Sequence, residues 1–282
     1  MQNPADIPNP VDQQTEARLD SRPEPSPSAQ TFPLNQETPS LRDVLLNSEG
    51  MPSQTAILGV CDDQLPVLLD LNDPAPGSVL VISDERQQEL DLLRVAVISV
   101  ALRNTARGVQ FIVFSHMPES WNQWVDEQSL RRYCLGVIGA ETNQAREWIY
   151  RLSEWAEQRA NYQIEGPPVL VLFDTLSFMT RLSTDPREKL DAIIHEGPQV
   201  RIWSIAAVST ALASSLSRQL DGFDTRLWGY SEDASIYTRL AGLSAAEARN
   251  FGVPGQFAVR VGPPGDQNWL KFRLPTLDGL LP

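Results

Sequence analysis

Residues 77–103, GSVLVISDERQQELDLLRVAVISVALR, decide how this chain folds. They read as a buried strand over Ser78–Ile82, a tight turn and a long amphipathic helix, with Leu90, Leu93, Val97 and Val100 at helical spacing on one face. A strand that feeds a helix through such a turn is where a phosphate-binding loop, G-x-x-x-x-G-K-[ST], sits in a nucleotide-binding domain. The framework is present and the chemistry is not. Ser83 stands at the first glycine, Gln88 at the second, Glu89 at the lysine and Leu90 at the hydroxyl.

Each replacement removes a different physical function. Glycines let backbone N–H groups converge on phosphate oxygens, and the side chains of Ser83 and Gln88 restrict that approach. The lysine supplies a positive charge to the outer phosphates, whereas Glu89 supplies a negative one. A charge pair at about 4 Å in an effective dielectric near 20 is worth roughly 4 kcal/mol, so reversing the sign swings about twice that before screening. A micromolar nucleotide complex is worth only about 8 kcal/mol in total. Leu90 cannot serve magnesium, which takes the loop hydroxyl as a ligand. No bound cofactor or metal is therefore expected at this loop.

The same residues have a reading that needs no ligand. Asp84 and Gln87 have capping-box spacing, and Asp84, Glu85 and Glu89 place carboxylates in the first helical turns, where the helix dipole favours negative charge. On this reading the helix carries its own anion.

Upstream of this stretch, residues 1–50 are rich in Pro, Gln, Ser, Asp and Glu, including RPEPSPS at 22–28, and read as a disordered tail. Within it, LRDVLL at 41–46 reads as a short helix or docking motif. Residues 51–282 form the folded domain. TAILGV and PVLLDL, separated by CDDQL, read as an antiparallel pair ahead of the main sheet.

Downstream, VQFIVFS at 109–115 and Cys134–Ile138 read as strands, with an irregular segment bearing Trp121 and Trp124 between them. Glu141–Ala160 reads as a helix with Trp148, Leu152 and Trp155 along a core-facing stripe and Glu147 paired to Arg151 at i,i+4. PPVLVLFD at 167–174 is a near-continuous apolar run ending in an acid, suited to a central parallel strand covered on both faces. Asp185–Glu196 reads as a helix, residues 200–210 as a buried strand and residues 223–230 as a shorter one. The helical stretches EDASIYTRLAGL and AAEARNF follow, and QFAVRVG with NWLKFRL closes the chain as a hairpin around PPGDQ. Strands alternating with helices imply parallel pairing through crossover connections.

Composition narrows the function classes. The 282 residues carry a net charge of −13 and only two lysines, Lys189 and Lys271, which argues against a surface that binds nucleic acid by counterion release. Arg131 and Arg132 read as a solvated pair. Cys61 and Cys134 are too few and too distant for a metal or redox motif and read as two buried reduced thiols. No run approaches the ~20 apolar residues that span a bilayer, and the N-terminus lacks a signal-peptide pattern, so a cytoplasmic protein without membrane insertion is expected. His116 and His195 are isolated in the sequence and offer no nucleophile, base and orienter arrangement.

With its elements in this order, the chain resembles the FtsK/SpoIIIE branch of the FtsK and HerA superfamily of P-loop ATPases from about Thr55 to Arg273. The resemblance is carried by ILGVCDDQLPVLLDLNDPAPGSVLVIS, VLVLFD, HEGPQVRIWSIAAVST, LDGFDTRLWGY and FGVPGQFAVRV. It implies an α/β P-loop NTPase-like fold: a mainly parallel sheet flanked by helices, a leading β-hairpin and a C-terminal β-hairpin. It places Asp174 at the magnesium-supporting acid of Walker B and Thr175 where a catalytic glutamate activates water. It also places Ser209 and Thr210 where the family has a Thr-Gln sensor.

With no catalytic residue expected, the resemblance implies a pseudo-ATPase retained as an interaction or regulatory module. Its partner would be a protein, either an active FtsK-like ATPase or further copies of the chain. The alternative is an ATP- and magnesium-dependent translocase or DNA-processing ATPase with an unusual nucleotide site.

Overall fold

A computed structural model describes residues 38–48, 50–162, 164, 166–216, 220–262 and 268–277. The deciding stretch forms strand β3 (Val79–Ile82) and an 18-residue helix, α2 (Arg86–Arg103). Before it come α1 (Leu41–Leu46) and the antiparallel pair β1 (Thr55–Cys61) and β2 (Pro66–Asp70). After it run β4 (Gln110–Ser115), α3 (Pro118–Glu127), β5 (Cys134–Gly139), α4 (Asn143–Tyr162) and β6 (Val169–Phe173). A 3-10 turn over Ser177–Arg181 leads to α5 (Thr184–Glu196), β7 (Ile202–Val208), α6 (Thr210–Ser215) and β8 (Thr225–Trp228). A π turn at Tyr237–Ala241 and α7 (Ala245–Ala248) precede β9 (Phe257–Arg260) and β10 (Trp269–Arg273).

All ten strands join one sheet in the order β2-β1-β10-β9-β8-β3-β7-β6-β4-β5. From β8 to β5 every pairing is parallel, and from β2 to β8 every pairing is antiparallel. The leading and closing hairpins therefore meet through β1 and β10 and extend the parallel sheet, as one surface. The expected central strand lies between β7 and β4 with all five of its residues buried.

Side chains alternate across the sheet with the two-residue period of extended backbone. Val79, Val81, Leu170, Leu172 and Ile205 face one apolar core, which α1, α2 and α3 cover. Leu80, Ile82, Val169, Val171, Phe173 and Ala206 face the other, covered by α4, α5 and α6. This double-sided cover is the physical reason the parallel strands read as continuous apolar runs.

Several expectations change. The helix after β3 is not amphipathic over its length. Leu92, Leu93 and every residue from Val95 to Ala101 are buried, and the Ser99 hydroxyl accepts the Ile57 N–H at 2.9 Å, so its C-terminal half is enclosed by neighbouring elements. The segment of Trp121 and Trp124 is α3, started by Pro118 at the first helical position, where its missing N–H costs nothing. Arg151 stacks on the Trp148 ring at 5.0 Å, where an ion pair with Glu147 was expected.

LRDVLL is the helix α1, with Leu41 and Val44 buried in the first core and the Leu41 N–H on Thr276 O at 2.8 Å. The packed body thus includes residues assigned by sequence to the tail. RPEPSPS and the PPGDQ turn lie outside the described residues. Among the described residues no helix is long and apolar enough to cross a membrane. Cys61 and Cys134 are free and only half-buried, with burial raising both thiols.

Candidate functional site: the altered phosphate loop

The connection from β3 to α2 is three residues long, Ser83 to Glu85. The last five of the eight loop positions, Arg86 to Leu90, are already helical. A phosphate nest needs an open loop ahead of the helix N-terminus, and here the helix begins at Arg86, two positions before the second glycine position. Here the Glu89 N–H closes a helical bond to Glu85 O at 3.1 Å. Ser83 is buried, its hydroxyl 3.3 Å from Tyr230 O and accepting the Glu85 N–H at 3.1 Å. Gly229 is required opposite it, because a Cβ there would lie 2.7 Å from Ser83 Oγ. Leu90 packs against the first core. Gln88 lines a cleft of ≈ 420 Å³ with Asp91, Gly255 and Arg273.

The expected cap is absent. Glu85 is the N-cap residue and makes no side-chain cap bond, while Gln87 reaches forward to Asp91 at 2.9 Å. Asp84 turns across the sheet edge instead. Its carboxylate accepts the Thr210 N–H at 3.1 Å, the Thr210 hydroxyl at 2.8 Å, the Ser231 hydroxyl at 3.0 Å and the Glu232 N–H at 3.3 Å. Those donors follow β7 and β8, so one short side chain ties three strand ends together. Glu85 adds a fourth tie, accepting the Gly255 N–H at 3.2 Å. Of the two sensor positions, Thr210 is brought to the loop, and Ser209 caps α6 through the Leu212 N–H at 3.4 Å.

Asp174 follows β6 and is 1% exposed. It does not cap the following turn, whose N-cap is Leu176. Its carboxylate accepts from the Ser115 hydroxyl, from Trp121 Nε1 at 2.9 Å and from the His116 N–H at 3.4 Å. The remaining partner is Arg86, whose Nη2 lies 3.4 Å from Oδ2 and whose Nη1 donates to the Asp174 carbonyl. Arg86 also reaches Glu89 at 3.3 Å.

Glu89 is 4% exposed, and among the described residues its Oε1 has no partner. Burial pushes its carboxyl up to about 7, with Arg86 pulling the other way. The sign follows from linkage. The folded state holds this proton more tightly than the unfolded chain, so stability falls as pH rises from the ordinary carboxyl range toward 7. The cost is complete above that, on the order of 3 kcal/mol.

Sequence reasoning missed Arg86, Ser115 and Trp121. The first stood at an unconstrained x position of the motif, and the other two were not connected to Asp174 by any spacing. Thr175 bonds locally, accepting the Ser177 N–H at 3.2 Å. His195 is exposed in the last turn of α5. Arg131 pairs with Asp126 at 2.8 Å, and Arg132 lies over the Tyr133 ring at 4.9 Å.

The residues present do not fit a magnesium triphosphate. Glu89, with one oxygen unpartnered among the described residues, stands at the cation position, Leu90 packs against the first core in place of a hydroxyl ligand, and the acid of β6 is ringed by protein donors that include a guanidinium.

No protein-family model matches the chain, and no curated protein matches it. Solved structures do. The Thermomonospora curvata EccC structure of ATPases 2 and 3 in complex with a signal sequence peptide has a TM-score of 0.63 at 16% identity, covering 86% of this chain and 43% of that one. The cytoplasmic domain of the Thermomonospora curvata Type VII secretion ATPase EccC gives 0.60 at 15% identity, covering 88% of this chain and 33% of that one. The pCW3 conjugation coupling protein TcpA, in its monomer form with ATPgS, gives 0.63 at 15% identity, covering 87% of this chain and 71% of that one. The chain thus spans less than half the length of either EccC structure. At such identities the likeness is one of fold: this chain has the fold of the FtsK/SpoIIIE-type P-loop ATPase domains.

Proposed function

We propose that this domain is a pseudo-ATPase, a nucleotide-silent FtsK/SpoIIIE-type fold that works as an interaction or regulatory module. The reading rests above all on Arg86, which spans from the first turn of α2 to the carboxylate and carbonyl of Asp174. That contact places a protein cation where the two nucleotide motifs face one another. Asp174 is 1% exposed, so taking Arg86 away would leave a buried carboxylate without its cation. Magnesium would have to displace it without a loop hydroxyl or a lysine to help.

Steady-state phosphate release tests the catalytic half. The wild type is expected to release none above a no-protein control. The triple substitution Gln88→Gly, Glu89→Lys and Leu90→Thr is expected to release none either, because Thr175 supplies no general base and Arg86 still covers Asp174. Magnesium-dependent turnover that disappears in Asp174→Ala would establish the alternative, an ATP-driven motor, in its place.

The interaction half draws on the neighbours. EccC is described with a bound signal sequence peptide, and a protein or peptide partner suits an acidic chain with few lysines better than nucleic acid does. The partner we infer is a related active ATPase domain or a second copy of this chain. Light scattering on the purified chain, alone and with such an ATPase from its host, separates the two. A lone monomer under both conditions counts against the proposal.

A further inference from the structure

The ends of β6, β4 and β5 are adjacent in the sheet, and each contributes one residue to a cluster that the altered loop does not use. Ligand and catalytic sites in open α/β sheets gather at these carboxyl ends, with residues drawn from several strands. His116 follows β4, Glu141 follows β5 and Ser177 follows β6. His116 Nε2 lies 2.7 Å from Ser177 Oγ, within the range for a base and its nucleophile. His116 Nδ1 lies 3.6 Å from Glu141 Oε1, and the other oxygen of Glu141 takes Arg181 Nη1 at 2.5 Å.

The neighbours are compatible with a proton running from Ser177 to His116. Thr175 Oγ1 donates to Ser177 Oγ at 3.2 Å and accepts the Ser177 N–H at 3.2 Å. In the tautomer whose Nδ1 hydrogen faces Glu141, His116 Nε2 is the acceptor for the Ser177 hydroxyl hydrogen, while one Ser177 lone pair stays engaged by Thr175. The backbone after β4 is fixed as well, the His116 N–H on Asp174 at 3.4 Å and the Met117 N–H on Ser115 Oγ at 2.8 Å. Thr175 and Asp174 thus hold a serine and a histidine in register.

We propose that Ser177 and His116 form an activated-serine site that cleaves small carboxylic esters, with Glu141 as a positioning residue. Ser177 Oγ attacks the ester carbonyl carbon as its proton passes to His116 Nε2. The ester C–O bond breaks, and the leaving alcohol takes that proton. Water then attacks the acyl group on Ser177, giving a proton to His116. The acid departs, and the serine oxygen recovers its hydrogen from the imidazole. The His116 side chain is 37% exposed and that of Arg181 70%, so water reaches the cluster. A site this open suits the good leaving group of an ester better than an amide.

The test uses the full chain, a fluorophosphonate probe and p-nitrophenyl acetate. Peptide mass spectrometry is expected to find the phosphonyl adduct on Ser177, and Ser177→Ala to lose both the adduct and ester turnover. His116→Ala should slow labelling by about 10²–10⁴-fold, the usual contribution of a general base. Glu141→Gln should lower the maximal labelling rate without changing the probe concentration at half-maximum, and Glu141→Asp should restore part of it. His116→Gln gives the same reading should the alanine variant fold poorly. No adduct on Ser177, or equal labelling without His116, overturns the proposal. Since these substitutions leave Arg86 and Glu89 in place, the result stands apart from the nucleotide question.

Discussion

Asp84 and Asp174 both end a buried strand of the parallel sheet, and the molecule holds them by different means. Asp84 is partly exposed and among the described residues accepts neutral donors, from Thr210, Ser231 and Glu232. Asp174 is 1% exposed and accepts neutral donors together with a guanidinium. Hydrogen bonds suffice for a carboxylate that keeps some water, whereas one that has lost its water needs a positive charge as well. In this chain the charge comes from Arg86, in the first turn of α2. Glu89 shares that arginine without matching its position and is left with an orphaned oxygen.

The contrast predicts graded effects. Asp174→Ala strands the buried Trp121 N–H and the Ser115 hydroxyl together, and chemical denaturation is expected to show a loss of about 4 kcal/mol. Glu89→Gln should act in the opposite sense, stabilising the fold by about 3 kcal/mol at pH 8. That gain should shrink to little below the ordinary carboxyl range, because the wild-type side chain is then protonated in both states. A pH-independent gain would mean that the burial of Glu89 charge is not its cause. Asp84→Ala leaves its donors to solvent or to one another and should cost about 2 kcal/mol, read from the denaturation midpoint. Arg131→Ala breaks an exposed pair with Asp126 and should change stability by about 0.5 kcal/mol or less.

How much of this was legible depends on the range of the interaction that decides it. Strands β3, β6 and β7 announced themselves because burial on both faces makes a continuous apolar run, and both hairpins because a short turn separates two such runs. The residues at Ser83, Gln88, Glu89 and Leu90 could be compared with a phosphate-loop pattern from spacing alone. Other features were decided at long range. Asp84 had the spacing of a cap, yet the competing donors came from residues more than a hundred positions away. The pairing of Arg86 with Asp174 spans 88 positions and leaves no local pattern. Trp121 looked like part of an irregular stretch until its indole met a buried acid across the sheet edge. His116 and Ser177 are 61 residues apart and meet only because β4 and β6 are neighbours.

Isothermal titration of the purified chain with ATP and magnesium tests the account most directly. The expected result is no binding heat up to millimolar nucleotide, in wild type and in Arg86→Ala alike, because releasing Asp174 still leaves Glu89 and Leu90 where a cation and a hydroxyl belong. Saturable magnesium-dependent heat at micromolar ATP in the wild type would contradict it.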